Sequence, residues 1–278
     1  MMNVIGLGHA GCQIAKNFEK YDQYRVFCVD VENKGYNTFI PVKEQISHED
    51  YEKNYKKLNL AKCKGPTTLI LNGIGNISGC ALRLLEQIRE NPIEIIYIKS
   101  DESSFTDDLK KRGRTTLGVL QEYTRSAVFE VMYIISNEKI EEIVEEISLK
   151  NYWQDINNII SSTYHMLNVF RNTEALLTVQ PEIKKTARIR TFGVVNFDTN
   201  KEKLFYDLQF PRTKRYFYGI NEDFLDSDKD LLHKTRKFVQ EQADQNIDTG
   251  FSIYSTNYEH NYIYTVHCAS YVQEQKID

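Results

Sequence analysis

Short apolar runs closed by glycine alternate with amphipathic stretches through the first half of the chain. Residues 2–7 form one such run, and residues 13–19 then read as helix. Residues 25–31 (R-V-F-C-V-D-V) have the β-branched and aromatic content of a second strand. Residues 33–64 are irregular, with a helix expected around 49–60. Buried strands are expected at 67–71 and 93–98, separated by a helix carrying Leu82, Leu85 and Ile88 on one face. A helix from Leu117 leads to a strand at 131–135, after which Ile140, Ile143, Val144 and Ile147 again recur at helical spacing. Strand, glycine turn, helix, strand is the pattern of a parallel sheet covered by helices.

The longest helical pattern spans 153–171, with Ile156, Ile159, Ile160, Leu167 and Phe170 on its apolar face and Thr163 on the same stripe. Beyond it the texture changes. Residues 188–197, 203–210, 215–220, 250–254 and 262–268 read as strands around one helix, whose buried side carries Leu231, Leu232, Phe238 and Val239. Asp226 or Ser227 is its expected N-cap. Strands in a row around a helix predict a second, α+β domain, joined to the first by the long helix.

Composition narrows the function classes. A net charge of −4 gives no electrostatic case for a nucleic-acid partner, and the short basic runs Lys110-Lys111-Arg112 and Lys184-Lys185 read as solvated faces. No apolar run approaches the roughly 20 residues of a membrane span. The first residues lack the basic-then-apolar plan of a signal peptide. The five cysteines are far apart and unpaired in pattern, which fits a reducing cytoplasm and argues against a disulfide framework or zinc site. The histidines likewise show no metal-ligand spacing.

Two glycine loops carry the candidate chemistry. Gly6-Leu7-Gly8-His9-Ala10-Gly11 lies between a strand and a helix, where glycines let the backbone approach a phosphate and the helix offers free N–H groups. With Asp30 closing the next strand, the same residues satisfy a dinucleotide fingerprint, so an NAD-dependent oxidoreductase stays open at this point. Asn72-Gly73-Ile74-Gly75-Asn76-Ile77-Ser78-Gly79 is a second strand-to-helix glycine loop, which a dinucleotide fold does not require. The lysine of a Walker P-loop is absent.

At these and later places the chain resembles the tubulin/FtsZ superfamily. Gly8-His9-Ala10-Gly11-Cys12-Gln13-Ile14 is similar to G-Q-C-G-N-Q-I, and Val29-Asp30-Val31-Glu32 to V-D-L-E. Gly73, Gly75, Ser78 and Gly79 match the signature G-G-G-T-G-S-G, whereas Ile74, Asn76 and Ile77 depart from it. Gln87-Ile88-Arg89-Glu90 resembles K-I-R-E, and Thr116-Leu117 stands where tubulins read T-L. Ile135-Ser136-Asn137-Glu138 looks like I-D-N-E, and residues 155–163 (D-I-N-N-I-I-S-S-T) look like the start of the family's central helix.

The resemblance implies an α/β fold with a Rossmann-like, parallel-sheet GTPase domain over 1–150, a central helix over 151–172 and a smaller C-terminal α+β domain over 173–278. It implies GTP or GDP with Mg2+ as cofactors. Gly8, His9, Ala10, Gly11, Gly73, Gly75, Asn76, Ser78 and Gly79 would lie on the nucleotide loops. Asp30 and Glu32 would support magnesium through water. Asn137 and Asn157 would read guanine, whose edge needs both a donor and an acceptor. Asp107 and Asp108 are candidates for the ribose. Self-association head to tail into cytoplasmic filaments is expected, with no membrane or nucleic-acid partner.

One departure bears on catalysis. The family's post-helix loop carries N-x-D-x-x-D or N-x-D-x-x-E, and one of its acids activates water on the neighbouring subunit's nucleotide. Here Thr173-Glu174-Ala175 stands on N-x-D and Thr178 on the later acid. Glu174 is the candidate substitute, with Glu182 further on. Slow or absent hydrolysis is expected without a positioned acid, and Ile74 and Ile77 are expected to crowd the phosphates. A non-catalytic structural or regulatory partner of the same fold is the alternative.

Overall fold

The computed structural model describes residues 1–144 and 150–273. It divides into two compact units, residues 1–161 and 162–273.

In the first unit, β1 (Met2–Leu7) leads through a glycine turn into α1 (Gly8–Lys16), followed by β2 (Tyr24–Asp30), β3 (Phe39–Pro41) and α2 (His48–Lys53). Next comes β4 (Thr67–Asn72), a 3-10 turn (Asn76–Cys80), α3 (Ala81–Gln87) and β5 (Ile93–Lys99). Then α4 (Asp107–Arg125), β6 (Val131–Ser136) and α5 (Asn137–Glu141) complete the alternation. All strand pairs are parallel, in the order β3-β2-β1-β4-β5-β6. Buried on both faces, these strands are near-continuous apolar runs: Leu69, Ile70, Leu71, Ile95 and Ile96 are fully buried. Strand order reverses between β1 and β4. Loops at the carboxyl ends of strands beside such a reversal border a crevice suited to ligands.

The long helix α6 (Tyr152–Arg171) carries the expected apolar face, with Ile156, Ile160, Leu167 and Phe170 buried and Thr163 beside them. The division between the units falls inside it.

The second unit continues with β7 (Leu177–Val179), β8 (Ile189–Val195), β9 (Glu202–Leu204), β10 (Thr213–Asn221), α7 (Glu222–Ser227), α8 (Leu231–Glu241), β11 (Asp248–Thr256) and β12 (Tyr262–Ala269). Its strands run β8-β12-β10-β11-β7, with β9 paired to β8. Only β10 and β11 are parallel in this set. Tyr216, Tyr218, Phe238, Phe251 and Ile253 form its core between sheet and α8.

Several boundaries differ from the sequence reading. Helix α4 begins at Asp107, ten residues before Leu117, because its first turns are too polar to show an apolar stripe. The run 203–210 pairs with β8 only through Glu202–Leu204; the chain then bends away, and Phe210 takes a left-handed φ of 51°. Asp226 and Ser227 do not cap α8. They end α7, which Asn221 caps by accepting from the Asp223 and Phe224 amides, and α8 starts after Asp230. The expected helical position Ile147 lies outside the described residues.

Candidate functional site

The first glycine loop is shaped by close approach. A Cβ on Gly6 would lie 2.5 Å from the Gly11 carbonyl oxygen, and one on Gly11 would lie 2.3 Å from the Ile70 carbonyl oxygen, so α1 sits directly on β1 and β4. Gly8 holds φ +71°, a conformation L side chains rarely adopt. Leu7 at the N-cap has no side-chain acceptor, which leaves the first-turn N–H groups of α1 to solvent or a ligand. His9 and Ala10 are exposed on that turn.

The second loop is braced from several sides. The Ser78 hydroxyl reaches the Gly73 and Gly75 carbonyls at 2.9 and 2.7 Å, and Thr116 Oγ1 donates to the Gly73 carbonyl at 3.3 Å. A Cβ on Gly73 would strike the Tyr97 hydroxyl at 2.3 Å, and one on Gly79 the His48 carbonyl oxygen at 1.9 Å. Gly75 differs: it is exposed, with nothing nearer than Ile77 Cγ2 at 3.9 Å. Asn76 is engaged by its neighbours, its Nδ2 donating to the Ile46 carbonyl at 3.0 Å. Burial followed by the Arg112 charge pushes the His48 imidazole below its ordinary range.

Arg112 departs from the expectation for its basic run. It does not belong to a solvated basic face: its guanidinium donates to the Ile74 carbonyl at 2.9 Å and to Asn76 Oδ1 at 2.5 Å. Nothing in the polar run Lys110-Lys111-Arg112 marks the third residue, because the helical register of α4 alone turns it onto the loop. Ile74 packs toward Gly113 of α4, 3.1 Å from where a Cβ there would stand. Ile77 points the other way, onto Gly8, and so joins the two glycine loops.

Beside the first loop lies a cavity of about 770 Å³. It brings together four of the expected residues, His9, Ala10, Asn137 and Asn157. Asn137 opens α5 directly after β6 and is 8% exposed. Its Oδ1 is buried with no hydrogen-bond partner among the described residues. Asn157 stands one helical turn after Trp153 on α6, and both line the cavity. Gln13, Lys16, Asn17 and Lys150 add to its wall, which among the described residues includes no carboxylate. Gln13 is tethered to the Tyr36 hydroxyl at 3.2 Å and Asn17 to the Ser161 hydroxyl at 3.1 Å. Gln13 stood in the quoted motif; Lys16, Asn17 and Trp153 carried no separate signal.

The remaining expected residues lie outside the cavity lining. Asp30 ends β2, buried, with Oδ1 accepting from the Val31 amide at 2.8 Å. Glu32 is exposed, 3.9 Å from the Lys34 ammonium. Asp107 and Asp108 form the exposed first turn of α4, where their charge favours the helix N-terminus. Glu174 is exposed in the second unit, in the segment between α6 and β7.

Solved structures supply the frame for this arrangement. An FtsZ dimer from M. jannaschii superposes with a TM-score of 0.69 at 13% identity, covering 96% of this chain and 88% of that one. The fold is that of the tubulin/FtsZ superfamily. GDP-form protofilaments of TubZ from Bacillus thuringiensis serovar israelensis match with a TM-score of 0.69 at 16% identity, over 96% and 85% of the two chains. The GTPγS-bound protofilament of CetZ2 from Haloferax volcanii matches with a TM-score of 0.66 at 12% identity, over 96% and 92%. No family model and no curated protein matches the sequence. The fold is therefore shared with these structures at 12–16% sequence identity. Among the described residues no helix is long and apolar enough to cross a membrane.

Proposed function

We propose that this chain binds a guanine nucleotide in the cavity of its first unit and assembles head to tail into cytoplasmic filaments. The observation that carries the nucleotide reading is the buried, unpaired Asn137 Oδ1 in the cavity wall. An orphaned buried acceptor costs about 1–3 kcal/mol, and a guanine N–H donor would relieve it. Asn157 would read the same base, with Trp153 one turn away offering an aromatic face.

The phosphates would extend toward the two glycine loops. Gly8, Gly11, Gly73, Gly75, Asn76, Ser78 and Gly79 would present backbone or side-chain groups there, and Arg112 would add a positive charge beside the second loop. The glycines at 11, 73 and 79 also have packing reasons that need no ligand. Among the described residues no three His, Cys, Asp or Glu side chains form a metal-binding group. A magnesium ion would therefore take most of its ligands from phosphate and water, with Asp30 and Glu32 as outer partners.

The filament reading rests on the fold and on neighbours solved as protofilaments. We infer slow or absent hydrolysis, since Ala175 and Thr178 stand where acids are expected, and Glu174, one residue out of register, and Glu182 further on are the candidate substitutes. A turnover rate unchanged in Glu174→Ala removes Glu174 from catalysis; a large drop assigns it the role. A second reading, a non-catalytic partner of filament-forming proteins, is favoured by the Ile77 side chain seated on Gly8.

A thermal-shift panel with GTP, GDP, ATP and NAD, each with magnesium, separates these readings, because a ligand of the folded state raises the melting temperature. Stabilisation by GTP and GDP alone supports the proposal and justifies pelleting assays. Stabilisation by NAD alone restores the dinucleotide reading, and no shift with any of them leaves the scaffold reading.

A further inference from the structure

The last residue of β4, Asn72, is followed by Gly73, and this is the one Asn-Gly step in the chain. After every other asparagine the next residue carries a side chain that shields its main-chain nitrogen; glycine carries none. Glycine is also required here by packing, since a Cβ at position 73 would strike the Tyr97 hydroxyl.

The side-chain amide of Asn72 is held at both ends. Its Oδ1 accepts from the Ile74 main-chain N–H at 3.0 Å, and its Nδ2 donates to Ser100 Oγ, in the segment after β5, at 2.6 Å. The carbonyl carbon Cγ lies between these anchors. An N–H on Oδ1 polarises that carbonyl and stabilises the negative charge that grows on the oxygen when Cγ is attacked. A hydroxyl on Nδ2 touches the atom that would leave and can pass it a proton. Asn72 is half-buried, which gives water access to it. On the far side of the Gly73 nitrogen the main chain is fixed, because the Ser78 and Thr116 hydroxyls both donate to the Gly73 carbonyl.

We propose that Asn72 is a site of spontaneous modification through a succinimide formed with Gly73. The Gly73 nitrogen attacks Cγ and gives up its proton. The Cγ–Nδ2 bond breaks, and the side-chain nitrogen leaves as ammonia, carrying that proton. Water then opens the ring at either carbonyl, leaving an aspartyl or an isoaspartyl residue in place of Asn72. Water is the only co-reactant. Either product adds a negative charge directly before the second glycine loop, and the isoaspartyl form also lengthens the main chain there by one atom. The site stands apart from the guanine-nucleotide reading; its effect on binding rests on that reading, under which the new charge repels phosphate.

The full chain is incubated for weeks at neutral pH, folded and in urea, then digested and weighed, with isoaspartyl groups counted by enzymatic methylation. A peptide containing Asn72 that becomes one mass unit heavier in the folded chain, at least as fast as in urea, is expected. Asn72→Gln abolishes that gain, which separates it from any change at Asn76. Ser100→Ala, with folding checked by circular dichroism, slows it roughly three- to tenfold, as the loss of one hydrogen bond to the reacting group implies, and Ser100→Thr restores it. The proposal is overturned if the gain occurs only in urea, if it persists in Asn72→Gln, or if Ser100→Ala reacts as fast as the parent. The modified chain is expected to bind GTP at least tenfold more weakly. A parent chain that is modified yet binds no guanine nucleotide contradicts the nucleotide reading and supports the modification site.

Discussion

The Ile77 side chain rests on Gly8: a Cβ added to Gly8 would lie 2.6 Å from Ile77 Cγ2. The two glycine loops are thereby in contact through a branched side chain at a position where the family signature has glycine. Ile77→Ala is expected to open this contact and raise the affinity for GTP and GDP by roughly tenfold, about 1.4 kcal/mol. The half-buried Ile77 gives up packing in exchange, a cost of about 1 kcal/mol in stability. Calorimetry on parent and variant checks both; an unchanged or weaker nucleotide affinity refutes the crowding.

The glycines separate by what surrounds them. Gly11→Ala places a Cβ 2.3 Å from the Ile70 carbonyl oxygen, a backbone atom that cannot rotate away. A loss of about 1–3 kcal/mol is expected from this overpacking. Gly75→Ala meets only Ile77 Cγ2 at 3.9 Å, and a change within about 0.5 kcal/mol is expected. Urea denaturation of the pair decides it, and equal losses would show that the close contact is relieved elsewhere.

Arg112→Ala removes the donor shared by the Ile74 carbonyl and Asn76 Oδ1. The expected result is a second loop that exchanges its amide hydrogens faster, with α3 protection unchanged. Uniform loss of protection throughout the first unit would instead mark Arg112 as a general stabiliser.

A part-buried pair in the second unit gives the pH dependence. Burial raises the Glu202 carboxyl, but the hydrogen bond and charge of His267, with Nε2 at 2.9 Å from Oε1, bring it net below its ordinary value of 4.5. A depressed carboxyl binds fewer protons in the folded than in the unfolded chain. Its stability contribution is present above the ordinary value and is lost as pH falls through the lower folded one. Glu202→Gln is expected to flatten the acid side of the stability curve below about pH 4.5; a parent-like acid slope in the variant would contradict this.

Much of this was legible because the signals are local. The parallel strands of the first unit announce themselves as apolar runs, and β1 coincides with the expected 2–7. Asn137 and Asn157, 20 residues apart in the chain, were found through motif likeness, and the fold brings them to one cavity. What escaped depends on tertiary geometry. The first turns of α4 contain no apolar stripe, so neither the helix start nor the docking of Arg112 could be read. Glycine in a loop signals flexibility or close approach, and only the positions of Ile70, Tyr97 and His48 distinguish the two.

Asn137 offers a test in which stability and affinity move apart. Its Oδ1 already lacks a partner in the free protein, so Asn137→Ala is expected to cost within about 1 kcal/mol of stability while weakening guanine-nucleotide binding at least tenfold. A large stability loss with parent-like affinity would make Asn137 a structural residue.

Trp153, the one tryptophan in the chain, lines the same cavity and reports on it directly. Titrating GTP, GDP and ATP while following its fluorescence is the decisive measurement. A saturable change with GTP and GDP, absent with ATP and at least tenfold weaker in Asn137→Ala, is the expected result. No response to guanine nucleotides, or an equal response to ATP, would contradict a guanine-specific site.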